Sequence, residues 1–483
     1  MREPIVVISH NQNLAGLIAR ILRCRQVYCQ PLAYGASAEE LAALHPSGLV
    51  LAADEEDELA HWEFSMLQKD LPVLALAGAA VAVLKQFGGE ASEVGGGKSA
   101  VTLSLSDDSL FAEIVGGERV LHAIADFTLP EPLLPLATAT ERIIGFKHKA
   151  LPIYALQYPI ERNDPDAAQL LYNFACNICH SPADWHEDTI IDRAVNEIRE
   201  ASATGQAVCA ISGGVDSAVC AKLAKIALGD RLQCVFVDTG LFRQGEPQNV
   251  LSTFAATLST QVRYVDAREA FLHALTGVSG AEDKERIVTS LMAQILLKEV
   301  HMLENAHTLI LGTNLNDLQW DAPHAEAFKD ALATSELCVC EPICDLFKDE
   351  IRRLAVALHM PPALAQRRPF PTGGLALRIM DDITAERLEV LRAADACFTE
   401  ELIVDGLDKR LWQCYALLVR SPDCPSCHTV CLRALQEAQG GAHAARLPFD
   451  VLERATARIL SQVHGISRVV YDLTPGTNDA EQE

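Results

Sequence analysis

Ala207-Val208-Cys209-Ala210-Ile211 runs directly into Ser212-Gly213-Gly214-Val215-Asp216-Ser217, and from there into a helical pattern. A short apolar run closed by glycines is a buried-strand signal, and the change of period behind it marks a strand, a tight loop and a helix. In such a loop bare backbone amides approach an anion closely, the helix start adds its dipole, and the Ser212 and Ser217 hydroxyls donate further. Phosphate suits this chemistry. The Walker A loop carries Gly-Lys-Ser/Thr, and this one does not, so a lysine for the phosphates must come from elsewhere.

Moving outward, strands are expected at Cys234 to Val237, Val262 to Val265 and Thr308 to Leu311, with helical stretches between them. That alternation is the signature of a doubly wound parallel sheet. The run Val235-Phe236-Val237-Asp238 delivers a carboxylate at the end of a strand, where such sheets bind ligands; a helix cap is the other reading of Asp238. Upstream, apolar and amphipathic runs alternate at Ile5 to Ser9, Leu14 to Leu22, Leu49 to Ala52 and Leu74 to Ala77, again an α/β pattern. Gly95 to Lys98 and the proline-dotted Leu129 to Leu136 read as loops, and Ile153 to Gln157 as a strand. The pattern breaks at Ser181 to Trp185, where a domain boundary is expected. After Arg378 the chain reads as helical, ending on a strand at Arg468 to Leu473.

The chain has 483 residues, more than one core usually supports, so two or three domains are expected. Its 40 basic and 65 acidic residues give a formal charge of −25, which repels nucleic acid. With no run of about 18 apolar residues and no signal peptide, a soluble cytoplasmic protein without membrane contact is expected. Fifteen cysteines, scattered mostly through apolar runs, read as reduced thiols packed in cores rather than as a disulfide framework.

An S-G-G-x-D-S run after an apolar strand resembles the pyrophosphate loop (PP-loop) of N-type ATP pyrophosphatases. Within that class, Val235 to Arg243, Glu341 to Glu350, Arg368-Pro369-Phe370-Pro371 and Arg468 to Asp472 resemble GMP synthase, in its order and over essentially the full chain. The resemblance implies an α/β protein of three parts. A class I glutamine amidotransferase-like domain would cover 1–182, a doubly wound PP-loop domain (adenine nucleotide alpha hydrolase-like) 183–377, and a small α+β dimerisation domain 378–483. It assigns ATP binding to Ser212, Gly213, Gly214, Val215, Asp216, Ser217, Asp238, Arg243 and Gly312. Asp216 would also help hold Mg²⁺, Lys348 would supply the missing cation, and Asp349 would orient it. Mg²⁺ and these donors would stabilise the leaving pyrophosphate while a substrate oxygen attacks the α phosphorus.

The chain departs from its relatives at two sites. Class I amidotransferases hydrolyse glutamine with a cysteine on a strand-to-helix elbow, helped by a histidine and a glutamate. Here Ala77 takes the cysteine position in Pro72 to Ala79, and Gln157-Tyr158-Pro159-Ile160-Glu161 puts Pro159 in place of the histidine and keeps only Glu161. The oxyanion segment becomes Ala52-Ala53-Asp54, so no glutaminase activity is expected. The segments that contact XMP in the family are also altered, at Gly312 to Asp317, Asp330 to Ser335 and Thr474 to Asn478. The acceptor is therefore XMP through different contacts, or another compound, aminated with ammonia from solution or from a partner protein.

Two alternatives stand beside this reading. Cys424-Pro425-Ser426-Cys427-His428 with Cys431 has a spacing that suits part of an iron–sulfur or zinc site, and Cys338, Cys340 and Cys344 form a second group. Either would suit an ATP-dependent sulfur transferase with an external sulfur donor. The other alternative is a non-catalytic ATP-binding paralogue, against which stands the complete loop with Asp216, Asp238 and Lys348.

Overall fold

The structure is a computed structural model that describes residues 3–55, 59, 62, 70–93, 98–122, 125–161, 163–203, 205–258, 261–315, 317, 328, 330, 332, 337–365, 373–422, 424, 426–438 and 441–475. The readings at Gly95 to Gly97, at Arg368 to Pro371 and at most of Asp330 to Ser335 lie outside the described residues. The fold is α/β throughout, in two compact units, Met1–Thr189 and Ile190–Glu483.

In the first unit the strands are β1 (Ile5–Ile8), β2 (Cys29–Leu32), β3 (Gly48–Ala53), β4 (Val73–Ala77), β5 (Glu90–Glu93), β6 (Lys98–Leu105), β7 (Gly117–His122), β8 (Ala125–Thr128), β9 (Leu133–Ala139), β10 (Arg142–His148) and β11 (Ile153–Leu156). Among the described residues they form one sheet in the order β2-β1-β3-β4-β11-β10-β9-β6-β7, with β5 paired to β8 apart from it. From β2 to β11 the pairing is parallel, and from β11 onward it is antiparallel. The parallel strands are covered on both faces, so β1, Ile-Val-Val-Ile, is apolar at every position and wholly buried. Helix α1 (Gln12–Cys24) packs its Ala15, Ile18, Ala19 and Leu22 stripe inward and is started by the Asn11 side chain, which accepts from the Asn13 and Leu14 amides.

The second unit centres on a parallel sheet of β12 (Gln206–Ile211), β13 (Leu232–Asp238), β14 (Val262–Asp266), β15 (Ala306–Ile310) and β16 (Cys338–Cys340), in the order β14-β13-β12-β15-β16. The chain fills one side of β12 and then crosses to the other. The crevice between β12 and β15 is therefore a topological switch point, the place where open α/β sheets bind ligands. Beyond the sheet a curved antiparallel hairpin of β17 (Gln413–Arg420) and β18 (His428–Ala438) is joined by β19 (Gly441–Ala444) and, in parallel with β18, by β20 (Ile466–Tyr471). Three of these four strands lie where the sequence reads as helical.

The division expected at residue 377 does not coincide with a gap in the packing. One apolar core runs from Val208, Val235 and Leu309 of the parallel sheet through Leu375 and Ile379 to Leu391, Phe398, Leu418 and Ile459. The first compact unit runs to Thr189, seven residues beyond the upstream boundary expected from the sequence.

Candidate active site

Helix α2 (Val215–Leu228) starts immediately after β12, and Gly213, with φ +89°, makes the corner between them. Gly214 is the cap residue and brings no side-chain acceptor, so the helix opens on uncapped amides facing the switch point. The loop is braced from within. Ser217 Oγ accepts from the Ser212 amide at 3.2 Å, lies 3.1 Å from Ser212 Oγ and donates to the Gly214 carbonyl at 3.1 Å. Gly312, just past β15, lies so close to the helix start that a Cβ there would sit 2.7 Å from the Ser217 nitrogen. Only glycine leaves the loop this clearance.

Lys348 begins helix α3 (Lys348–Ala357) and reaches across to the loop, its Nζ 2.5 Å from Asp216 Oδ2. Two residues 132 positions apart in sequence thus meet at the anion site. The other Asp216 oxygen, Oδ1, is buried without a hydrogen-bond partner. A buried carboxylate oxygen left open beside a phosphate site is a fitting ligand for the Mg²⁺ that accompanies ATP. Asp349, expected to orient Lys348, pairs with Arg353 one turn along α3 at 3.0 Å.

Asp238 is buried at the end of β13. Its Oδ1 accepts from the Gly240 amide at 2.9 Å and its Oδ2 from the Tyr264 hydroxyl at 2.7 Å. Burial, then this hydrogen bond, pushes the Tyr264 phenol up to about 12, so it remains a donor. Arg243, expected on the nucleotide, lies 3.3 Å from Asp395 and donates to the Cys414 carbonyl. Sequence reasoning missed Tyr264, and it also missed Arg193, whose guanidinium takes Asp345 with both nitrogens at 2.5 and 2.8 Å just before Lys348. Neither residue belongs to a spaced motif, so neither left a signal to read.

Cys424 and Cys427, expected as reduced thiols or metal ligands, are bonded to each other as a disulfide in a turn closed by the Cys427 amide on the Cys424 carbonyl, and Cys431 lies on β18. Cys340 and Cys344 are held as thiols, pushed by burial to about 12, and Cys338, on the same strand as Cys340, is exposed where Cys340 is buried. Among the described residues no group of three His, Cys, Asp or Glu side chains is arranged to hold a metal ion.

In the first unit, β4 passes into helix α4 (Gly78–Gln86) through Ala77, whose φ of +52° and ψ of −122° make the sharp strand-to-helix corner of a nucleophile elbow. The corner is enforced at Gly78, where a Cβ would fall 2.5 Å from the backbone carbon of Glu55. Pro159 and Glu161 follow β11, the strand next to β4. Asp54, at the end of β3, accepts from Asn11 Nδ2 at 2.9 Å.

Residues 188–386 match the NAD synthase family and residues 400–478 the GMP synthase C terminal domain family. A protein of Carboxydothermus hydrogenoformans called GMP synthase [glutamine-hydrolyzing] is 32% identical over 500 residues, covering 98% of each chain. A Bacillus cereus protein of the same name is 31% identical over 498 residues, covering 98% of this chain and 97% of its own. A solved structure of a GMP synthase subunit from Thermoplasma acidophilum covers 37% of this chain and 95% of its own, at 20% identity and a TM-score of 0.33. On relatives that span nearly its whole length, and on a family region that contains both Asp216 and Lys348, the chain belongs to the GMP synthase family of carbon–nitrogen ligases that split ATP to AMP and pyrophosphate.

Proposed function

We propose that this chain adenylates a purine nucleotide, XMP or a close analogue, and aminates it with ammonia that its first unit does not make. The observation that carries the reading is the meeting of Lys348 and Asp216 at an uncapped helix start on the switch point of a parallel sheet. The α2 amides and the Ser212 and Ser217 hydroxyls receive the departing diphosphate, and Lys348 exchanges Asp216 for phosphate oxygens. Mg²⁺ arriving with ATP would neutralise charge on that leaving group, with Asp216 as its protein ligand. The acceptor's carbonyl oxygen attacks the α phosphorus and expels pyrophosphate. Ammonia then attacks the adenylated carbon, and AMP leaves with the oxygen.

Ammonia comes from solution or from another protein's glutaminase. At the elbow Ala77 offers a methyl group where a thiolate must attack, and Pro159 offers no base. The test is pyrophosphate release from ATP and XMP with ammonium and glutamine compared side by side. Ammonium should support turnover and glutamine none; an equal rate with glutamine, in protein freed of contaminating glutaminases, sinks the ammonia part. ADP and orthophosphate as products would sink the adenylation part. We also propose a homodimer, supported by Phe449, Leu460 and Leu473, which the C-terminal region exposes to 74%, 48% and 72%.

A further inference from the structure

The turn from Thr239 to Phe242, which leaves β13 behind Asp238, is held by residues that come more than 130 positions later in the chain. Three consecutive carbonyls are taken. Gly240 accepts from Arg392 Nη2 at 2.7 Å, Leu241 from the Leu375 amide at 2.8 Å, and Phe242 from Arg392 Nε at 3.0 Å. Arg392 and Asp395 lie three positions apart on helix α5 (Ala385–Val404) and so share a face. Asp395, 2% exposed, stands 3.3 Å from Arg243 Nε and 3.6 Å from Arg378 Nη1, and it accepts the Ala416 amide at 2.9 Å. Arg378 in turn lies 4.5 Å over the Tyr415 ring.

A carboxylate this buried is costly unless paired and hydrogen-bonded, and its chief effect is to fix geometry rather than to add net stability. What it fixes here is the far end of the turn, through Arg243, while Arg392 fixes the middle. The near end is Asp238, locked by Tyr264. The whole turn borders the phosphate loop, because β12 and β13 are in register from Ala207↔Leu232 to Ile211↔Phe236 and both end on that edge.

We propose that Arg392 and Asp395 are positioning residues for ATP binding: they hold the 239–242 turn against the phosphate loop from the C-terminal region, touching no substrate themselves. The inference rests on the reading that this loop binds ATP, and its test separates the two. In the full-length Arg392→Gln protein, amide exchange at Gly240 to Phe242 should quicken about tenfold or more while β15 amides keep their wild-type rates. KM for ATP in the pyrophosphate assay should rise about tenfold with kcat changed less than about threefold, the pattern of a binding surface left unheld. Arg392→Lys, which keeps the charge but loses the two-pronged donor, should fall between them. Asp395→Asn, of equal size, should quicken the same amides if it folds. A folded Arg392→Gln protein with wild-type exchange in the turn and a wild-type KM overturns the proposal. Quickened exchange in a protein whose wild type releases no pyrophosphate leaves the clamp standing and removes ATP as its purpose.

Discussion

Ala77 holds a positive φ that glycine adopts without a Cβ penalty, and Gly78 beside it has no room for a side chain at all. Opposite outcomes follow at neighbouring positions. Ala77→Gly should leave stability unchanged or raise it by up to about 1 kcal/mol, whereas Gly78→Ala should cost about 2 kcal/mol or more, both read by denaturant unfolding. In the second unit, Asp216→Asn and Lys348→Met should each lower kcat/KM for pyrophosphate release by roughly two to three orders of magnitude while the melting temperature stays near wild type. A loss below about threefold in both would detach the pair from the chemistry. These residues were legible because Ser212 to Ser217 and Phe347-Lys348-Asp349 are compact strings whose residue types the chemistry dictates. Tyr264, Arg392 and Asp395 were not, since a side chain that acts by holding another shows no spacing until the chain is folded.

Among elements, the β17–β18 hairpin shows what strand patterns hide. Its residues alternate between buried and partly exposed, yet the Pro, Cys and Ser cluster between Ser421 and Cys427 broke the run and the region read as helical. Leu129 to Leu136 misled for a related reason: Pro135 sits inside β9, where it is tolerated because β6 pairs only with Ala137, Thr138 and Ala139 and leaves the Pro135 edge uncovered. Among the parallel strands β1, β3, β4, β12 and β13 were legible because each carries a continuous apolar run closed by a loop, whereas β2, Cys-Gln-Pro-Leu, and the three-residue β16 carry none and went unread. At the start of β18, burial foremost, then repulsion from Arg387 and Arg420 opposed by Glu386 and Asp381, holds the His428 imidazole below its usual 6.5. As pH falls, the unfolded chain binds this proton before the folded one does. The stabilisation is therefore whole above about pH 6.5 and drains away as pH drops below it. His428→Gln should accordingly lose less in melting temperature than wild type between about pH 7.5 and 5.5, and an equal loss in both would show His428 to be silent.

For the molecule as a whole, the shared core of the second unit makes a prediction about where the chain can be cut. A protein covering residues 190–483 should fold and melt in a single transition, because one apolar core runs from its parallel sheet across residue 377 to its C-terminal strands and helices. A protein ending at 377 would strip Leu375, Leu309 and Val235 of their partners Leu391, Phe398 and Leu418, and should be insoluble or molten by near-ultraviolet circular dichroism. Sharp side-chain signals from the shorter protein would restore the three-part division that the family likeness suggests. At the elbow in the first unit, position 77 presents a methyl group where such a corner can present sulfur, so a glutamine-shaped alkylating agent should leave that residue of the purified protein unmodified by mass spectrometry.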